Sequence, residues 1–178
     1  MMRRQKSIIM MSKQKNNLKE MKRYSIFAIL LLCAFYACSG SDDDAQKDME
    51  RPVISDWNIV ANPIDCQQYH RGDTIPVNYV LMDNCELGAY NIEIHNNFDH
   101  HTHSTTAAEC PMDAQKAPQK PWIYNQDFDI DPGQRIWDAR QDIAIPADID
   151  TGDYHFMIRL TDAAGWQQLH AVAIKIVE

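Results

Sequence analysis

Histidines stand at positions 70, 95, 100, 101, 103, 155 and 170, and four of them fall within His95-Asn-Asn-Phe-Asp-His-His-Thr-His103. Neutral imidazole is a good ligand for zinc, copper and nickel, so a cluster this dense is a candidate transition-metal site. His101-Thr-His103 adds geometry, because residues two apart on an extended segment point to the same side. The competing reading is a polar loop folded over a sheet, its imidazoles solvated or bonded to the chain's many carboxylates. What separates the two is whether the elements bring the distant His155 to the same place.

From Arg51 onward the sequence breaks into short apolar-alternating runs divided by turn residues, with no sustained 3.6-residue periodicity. Seven strands are expected, near 53–60, 74–82, 89–95, 122–130, 136–145, 154–161 and 169–177. In the sixth, Tyr154, Phe156, Ile158 and Leu160 face one way, and His155, Met157 and Arg159 the other. In the third, Tyr90, Ile92 and Ile94 face inward, and Asn91, Glu93 and His95 outward. Pro76, early in the second, is tolerable only at a sheet edge or strand start. One buried face per strand points to an all-β fold, a single immunoglobulin-like antiparallel β-sandwich.

In that topology the third and sixth strands are antiparallel neighbours. His95 ends one and His155 begins the other, both outward. His70, before the second run, and the loop bearing His100, His101 and His103 belong to the same pole. The expected ligands for zinc or copper are therefore His95, His101, His103 and His155, with His70 and His100 as further candidates. His170, on the last run, is expected to lie away from them.

Other motifs are weaker. Asp127, Asp129 and Asp131 resemble a calcium loop, but Pro132 stands where an EF-hand needs glycine, and alternation explains them as an exposed acidic face. Arg71-Gly-Asp73 reads as the turn before a strand. Asp73-Thr-Ile75 is similar to a short bacterial O-glycosylation acceptor, which makes Thr74 a glycosylation candidate. There is no Gly-x-Ser-x-Gly, phosphate loop or His-Glu-x-x-His, and no enzymatic activity is expected. The alternative to metal binding is a glycan- or protein-interaction module using exposed aromatics such as Trp122 and Trp137.

The N-terminal third supplies an address. Lys22 and Arg23 precede an apolar run from Tyr24 that ends on Ala37-Cys38, followed by Ser-Gly-Ser-Asp-Asp-Asp44. The run is too short to span a bilayer core, which needs about 20 apolar residues, and it reads as a secretory signal. Cys38 at the junction resembles a lipobox cysteine, the lipidation site. The acidic run resembles an export signal to the outside of the outer membrane. Residues 1–20 read as a start-site extension, 21–37 as the signal peptide, 38–50 as a flexible lipidated acidic tether, and 51–178 as the sandwich.

Residues 1–37 hold eight of the 17 Lys and Arg and one of the 25 Asp and Glu, leaving 9 against 24, a net charge of −15. Such a chain has no means of binding nucleic acid through its phosphates. It also repels anionic membrane surfaces, so membrane attachment rests on the lipid anchor. An outer-membrane protein or a glycan at the cell surface is the expected partner. Beyond Cys33 and Cys38, three cysteines remain. Cys66 and Cys110 fall in connections at one pole and Cys85 at the other, and a disulfide needs Cα atoms within about 7 Å. A Cys66–Cys110 bridge is expected, with Cys85 a free, buried thiol.

The stretch Ile145-Pro-Ala-Asp-Ile-Asp-Thr-Gly-Asp-Tyr-His-Phe156, followed by Leu160-Thr-Asp-Ala-Ala-Gly165, resembles the closing half of bacterial Ig-like modules. With Arg71-Gly-Asp73 before one strand and Ile92-Glu-Ile-His95 closing another, the chain resembles the Bacteroidota lipoprotein family called domain of unknown function 4625. That resemblance implies a lipid-anchored Ig-like domain and no particular activity.

Overall fold

The computed structural model describes residues 47–102 and 110–178; Cys38, the signal, most of the tether and His103 lie outside them. The chain divides at Lys47/Asp48 into two units, and the second, Asp48–Glu178, holds every strand found among the described residues. There are eight: β1 (Val53–Ser55), β2 (Gln67–His70), β3 (Thr74–Met82), β4 (Leu87–Asn96), β5 (Tyr124–Asp129), β6 (Ile136–Ala144), β7 (Gly152–Asp162) and β8 (Gln167–Val177). One sheet is ordered β1-β3-β6 and the other β2-β8-β7-β4-β5. The architecture is an all-β sandwich of two sheets.

Alternation places the core. Tyr90, Ile92 and Ile94 of β4 and Tyr154, Phe156, Ile158 and Leu160 of β7 are all buried, facing Ile75, Val77, Tyr79 and Leu81 of β3. β7 is the exception to one-sided burial, since His155 and Met157 on its outer face are buried too. The segment after β4 folds back over that face, as the ring contacts of His101 with His155 show. Pro76 sits where β1, which reaches only Val80 to Met82, leaves the flank of β3 largely unladdered. Its missing N–H therefore costs no ladder bond.

Two expectations change. β2 is an additional strand, and it pairs parallel to β8, so the sandwich is not wholly antiparallel. The turn at residues 71–73 sends the chain from β2 into β3 of the opposite sheet, and the direction this imposes on β2 is that of β8. The first expected strand shrinks to Val53–Ser55, and Trp57 and Val60 beyond it are exposed.

Candidate metal centre

His95 and His155 are register partners across β4 and β7. Their rings lie 5.6 Å apart at the outer face of the sheet. What makes a cluster of them is the turn after β4. His100 N–H donates to the Asn97 carbonyl (3.2 Å), and His100 adopts φ 62°, reversing the chain. Phe98 anchors the turn: it is buried, edge-on to Tyr154 at 5.4 Å and beneath the Lys116 ammonium at 4.5 Å. Gly152 makes room for it, since a Cβ there would stand 3.1 Å from Phe98 Cε1 on a backbone at φ 124°. The reversed chain lays His101 over both strand histidines, 5.3 Å from His95 and 5.1 Å from His155.

The ring nitrogens are arranged as chemistry requires of metal ligands. His101 Nδ1 is 2.5 Å from Asp99 Oδ1. His95 Nδ1 is 3.1 Å from Glu93 Oε1, in ion-pair range though off the line of a hydrogen bond. At His101 the Asp99 carboxylate holds the proton on Nδ1 and leaves Nε2 as the lone-pair nitrogen, the usual orienting device for a metal-bound histidine. The two Nε2 atoms face each other at 3.2 Å. His155 Nε2–H donates to the His101 carbonyl (3.0 Å), which makes Nδ1 its lone-pair nitrogen. Asp99 is held below the usual carboxylate range, chiefly by its bond to His101.

Of the expected ligands, the structure brings together His95, His101 and His155; His103 lies outside the described residues. His100 is turned to the Asp113 carbonyl (3.0 Å). His70 is not at the cluster. It pairs with Val177, four residues along β8 from the register partner of His155, a separation of about 13 Å at 3.3 Å per residue. Its Nδ1 meets the Glu178 carbonyl instead.

His170 stands apart, as expected, but points inward, its ring edge-on to Tyr79 at 5.3 Å. Burial holds its pKa below the ordinary 6.5, partly offset by Asp65 and Asp56. The unfolded chain takes up this proton near pH 6.5 and the folded chain only at lower pH. The stability it supports is therefore complete above pH 6.5 and declines as pH falls from there toward the folded value. In urea melts, His170→Leu should flatten the fall in stability as pH drops below about 6.5. An unchanged slope would show that its burial is not what the proton feels.

Cys66 and Cys110 are bonded, with Cα atoms 5.3 Å apart. Cys85 is free but exposed at the β3–β4 turn rather than buried. Thr74 is exposed at the start of β3. Trp122 is not a surface aromatic: it is 8% exposed and packs beside Tyr124 and Tyr154. Trp137 is half-buried against the core. Both follow the alternation of their neighbours, Trp122 in parity with Tyr124, Phe128 and Ile130, and Trp137 in parity with the buried Ala139 and Ile143. Asp99 is the site residue that alternation misses, and its signal was local. Glu93-x-His95 and Asp99-x-His101 each place a carboxylate two residues before an imidazole.

Fold and site together define an all-β sandwich domain with a carboxylate-buttressed imidazole cluster on the outer face of its larger sheet. The chain belongs to the family described as domain of unknown function DUF4625, which matches residues 37–177. No curated protein matches it. Among solved structures, a family 123 glycoside hydrolase from Clostridium perfringens, from work on the details of glycolipid glycan hydrolysis, is similar at 11% identity and a TM-score of 0.39. The likeness covers 72% of this chain and 28% of that one, so the chain spans just over a quarter of that enzyme.

Proposed function

We propose that this protein is a non-catalytic lipoprotein of the outer membrane, exposed at the cell surface, that binds zinc or copper and passes it to an outer-membrane partner. The observation that carries the metal reading is the pair of Nε2 atoms facing at 3.2 Å, each ring having a carboxylate at its Nδ1. Two lone pairs at that distance repel unless a proton or a cation lies between them. Two imidazole ligands of one tetrahedral zinc, each at 2.0–2.1 Å, stand roughly 3.3 Å apart, so the rings need almost no movement to share an ion. His155 completes three ligands through Nδ1, and His103 is the fourth. Calorimetry with zinc and copper(II) on the chelator-stripped protein tests this directly. One saturable site is expected, and binding no tighter than free imidazole would return these rings to a hydrogen-bonded loop.

The address rests on Cys38, the apolar run before it and the acidic run after it. A single acyl chain binds a membrane only marginally, so the diacylated cysteine is what gives stable anchoring. Cys38→Ala should move the protein from the outer-membrane fraction to an uncleaved or released form. A variant that still fractionates with the outer membrane would overturn the lipid anchor while leaving the metal site untouched.

A further inference from the structure

At the opposite pole, we propose, Asp48, Asp83 and Asp162 form a second, separate site for a hard divalent cation of the calcium class. Asp83 opens the β3–β4 turn, Asp162 ends β7, and Asp48 lies in the segment that enters the sandwich before β1. Leu87, the register partner of Asp162, is eight residues along β4 from His95, about 26 Å of strand. The two sites are therefore independent.

Each carboxylate is held by one oxygen and presents the other. Asp48 Oδ1 accepts from Glu50 N–H (3.1 Å). Asp83 Oδ1 accepts from the N–H groups of Cys85 and Glu86, both at 2.8 Å. Asp162 Oδ1 accepts from Trp166 N–H (2.8 Å). All three Oδ2 atoms are buried without a hydrogen-bond partner, and Asp162 as a residue is only 3% exposed. One carboxylate oxygen from each residue lies within 4.8 Å of the other two.

Three carboxylates whose buried oxygens are turned toward one another repel, and a cation placed among them relieves that repulsion. Among the described residues no ion pair engages any of them. The nearby Arg135 spends its Nε on the Cys85 carbonyl. The donors are all hard oxygens, which suit calcium and not the imidazole-seeking metals of the other pole. Their spread also fits, because oxygens bound to one ion at about 2.4 Å stand no more than about 4.8 Å apart, within the 2.3–2.6 Å range for calcium. Backbone carbonyls and water would complete the six to eight ligands calcium takes.

The consequence is mechanical. Asp48 stands ten residues after Cys38, and its carbonyl already accepts from Trp166 Nε1–H (3.1 Å). An ion shared with Asp83 and Asp162 would clamp the end of the tether to two turns of the sandwich and fix how the domain leaves the membrane.

The test is calorimetry and thermal melting of the full chain in detergent, stripped with chelator and then titrated with calcium chloride, magnesium chloride or zinc chloride. Calcium should bind one site with a dissociation constant on the order of 10⁻⁴ M, as in extracellular modules, and raise the melting temperature. Asp162→Asn should abolish calcium binding, and Asp48→Asn, outside the core and so without risk to the fold, should weaken it by at least about tenfold. Zinc binding at the histidines should be unchanged in both. Absence of calcium heat and of any melting shift at about 5 mM would overturn the site, as would equal affinity in Asp48→Asn.

Discussion

Replacing His101 with alanine is expected to weaken zinc or copper(II) binding by at least about a hundredfold, or about 2.7 kcal/mol. Its Nε2 is half of the facing pair with His95, and its ring lies against both strand histidines, so one substitution removes the ligand at the centre of the cluster. His95→Ala together with His155→Ala should cost at least as much, because the strand-borne rings are preorganised and lose little freedom on binding. Asp99→Asn leaves every ligand in place and should still lower affinity about 10- to 100-fold, the usual effect of losing the carboxylate that orients a metal-bound histidine. His100→Ala and His70→Ala should be near neutral, with His70 the better control because His170 is tied to stability. Binding should weaken as pH falls, because imidazole must be neutral to hold a metal. If His101→Ala and Asp99→Asn both titrate like the parent protein, the three rings are a stacked cover for β7 and nothing more.

Removing the Cys66–Cys110 bridge, with both cysteines changed to alanine, is expected to lower unfolding stability by about 4 kcal/mol. That figure follows from the chain freedom regained by an unfolded loop closed over 44 residues. For a domain whose total stability is about 5–15 kcal/mol, this is a large share, visible as a lower urea midpoint. The loss should reach the histidines too. His101 is tied to β7 by the His155 bond, and Cys110 to Cys66 by the disulfide. Metal should therefore bind more weakly to the doubly substituted protein. Cys85→Ala, at an exposed turn, should change neither quantity. Equal midpoints for the bridged and unbridged proteins would place the anchoring of Cys110 elsewhere, with Lys175 and its partners Asp113 and Asp153 the next group to test.

How far each feature was legible in the sequence follows from the range of the force that sets it. Alternation along β4 and β7 is local, so Tyr90, Ile92, Ile94, Tyr154, Phe156 and Ile158 declared the core face by parity alone, and the pairing of His95 with His155 followed from strand order. β2 was too short to declare itself, with Tyr69 as the single buried side chain among its four residues. His155 and Met157 show the limit of parity, since it names two faces without saying which neighbouring segment covers either of them. The buried outer face of β7 depends on a reversal at Asn97–His100 that Phe98 and Gly152 make possible together, from positions 54 residues apart.

By itself, then, the sequence determined the all-β class, the inward and outward sets of the long strands and the concentration of imidazole near one pole. Each of these depends on the fixed two-residue period of an extended chain. Only the tertiary structure decided that His101 lies over His95 and His155, and that Asp48, Asp83 and Asp162 turn their oxygens toward a common point. Those meetings depend on loop closure and on which apolar side chains are buried together, terms summed over the whole molecule and written in no local stretch of it.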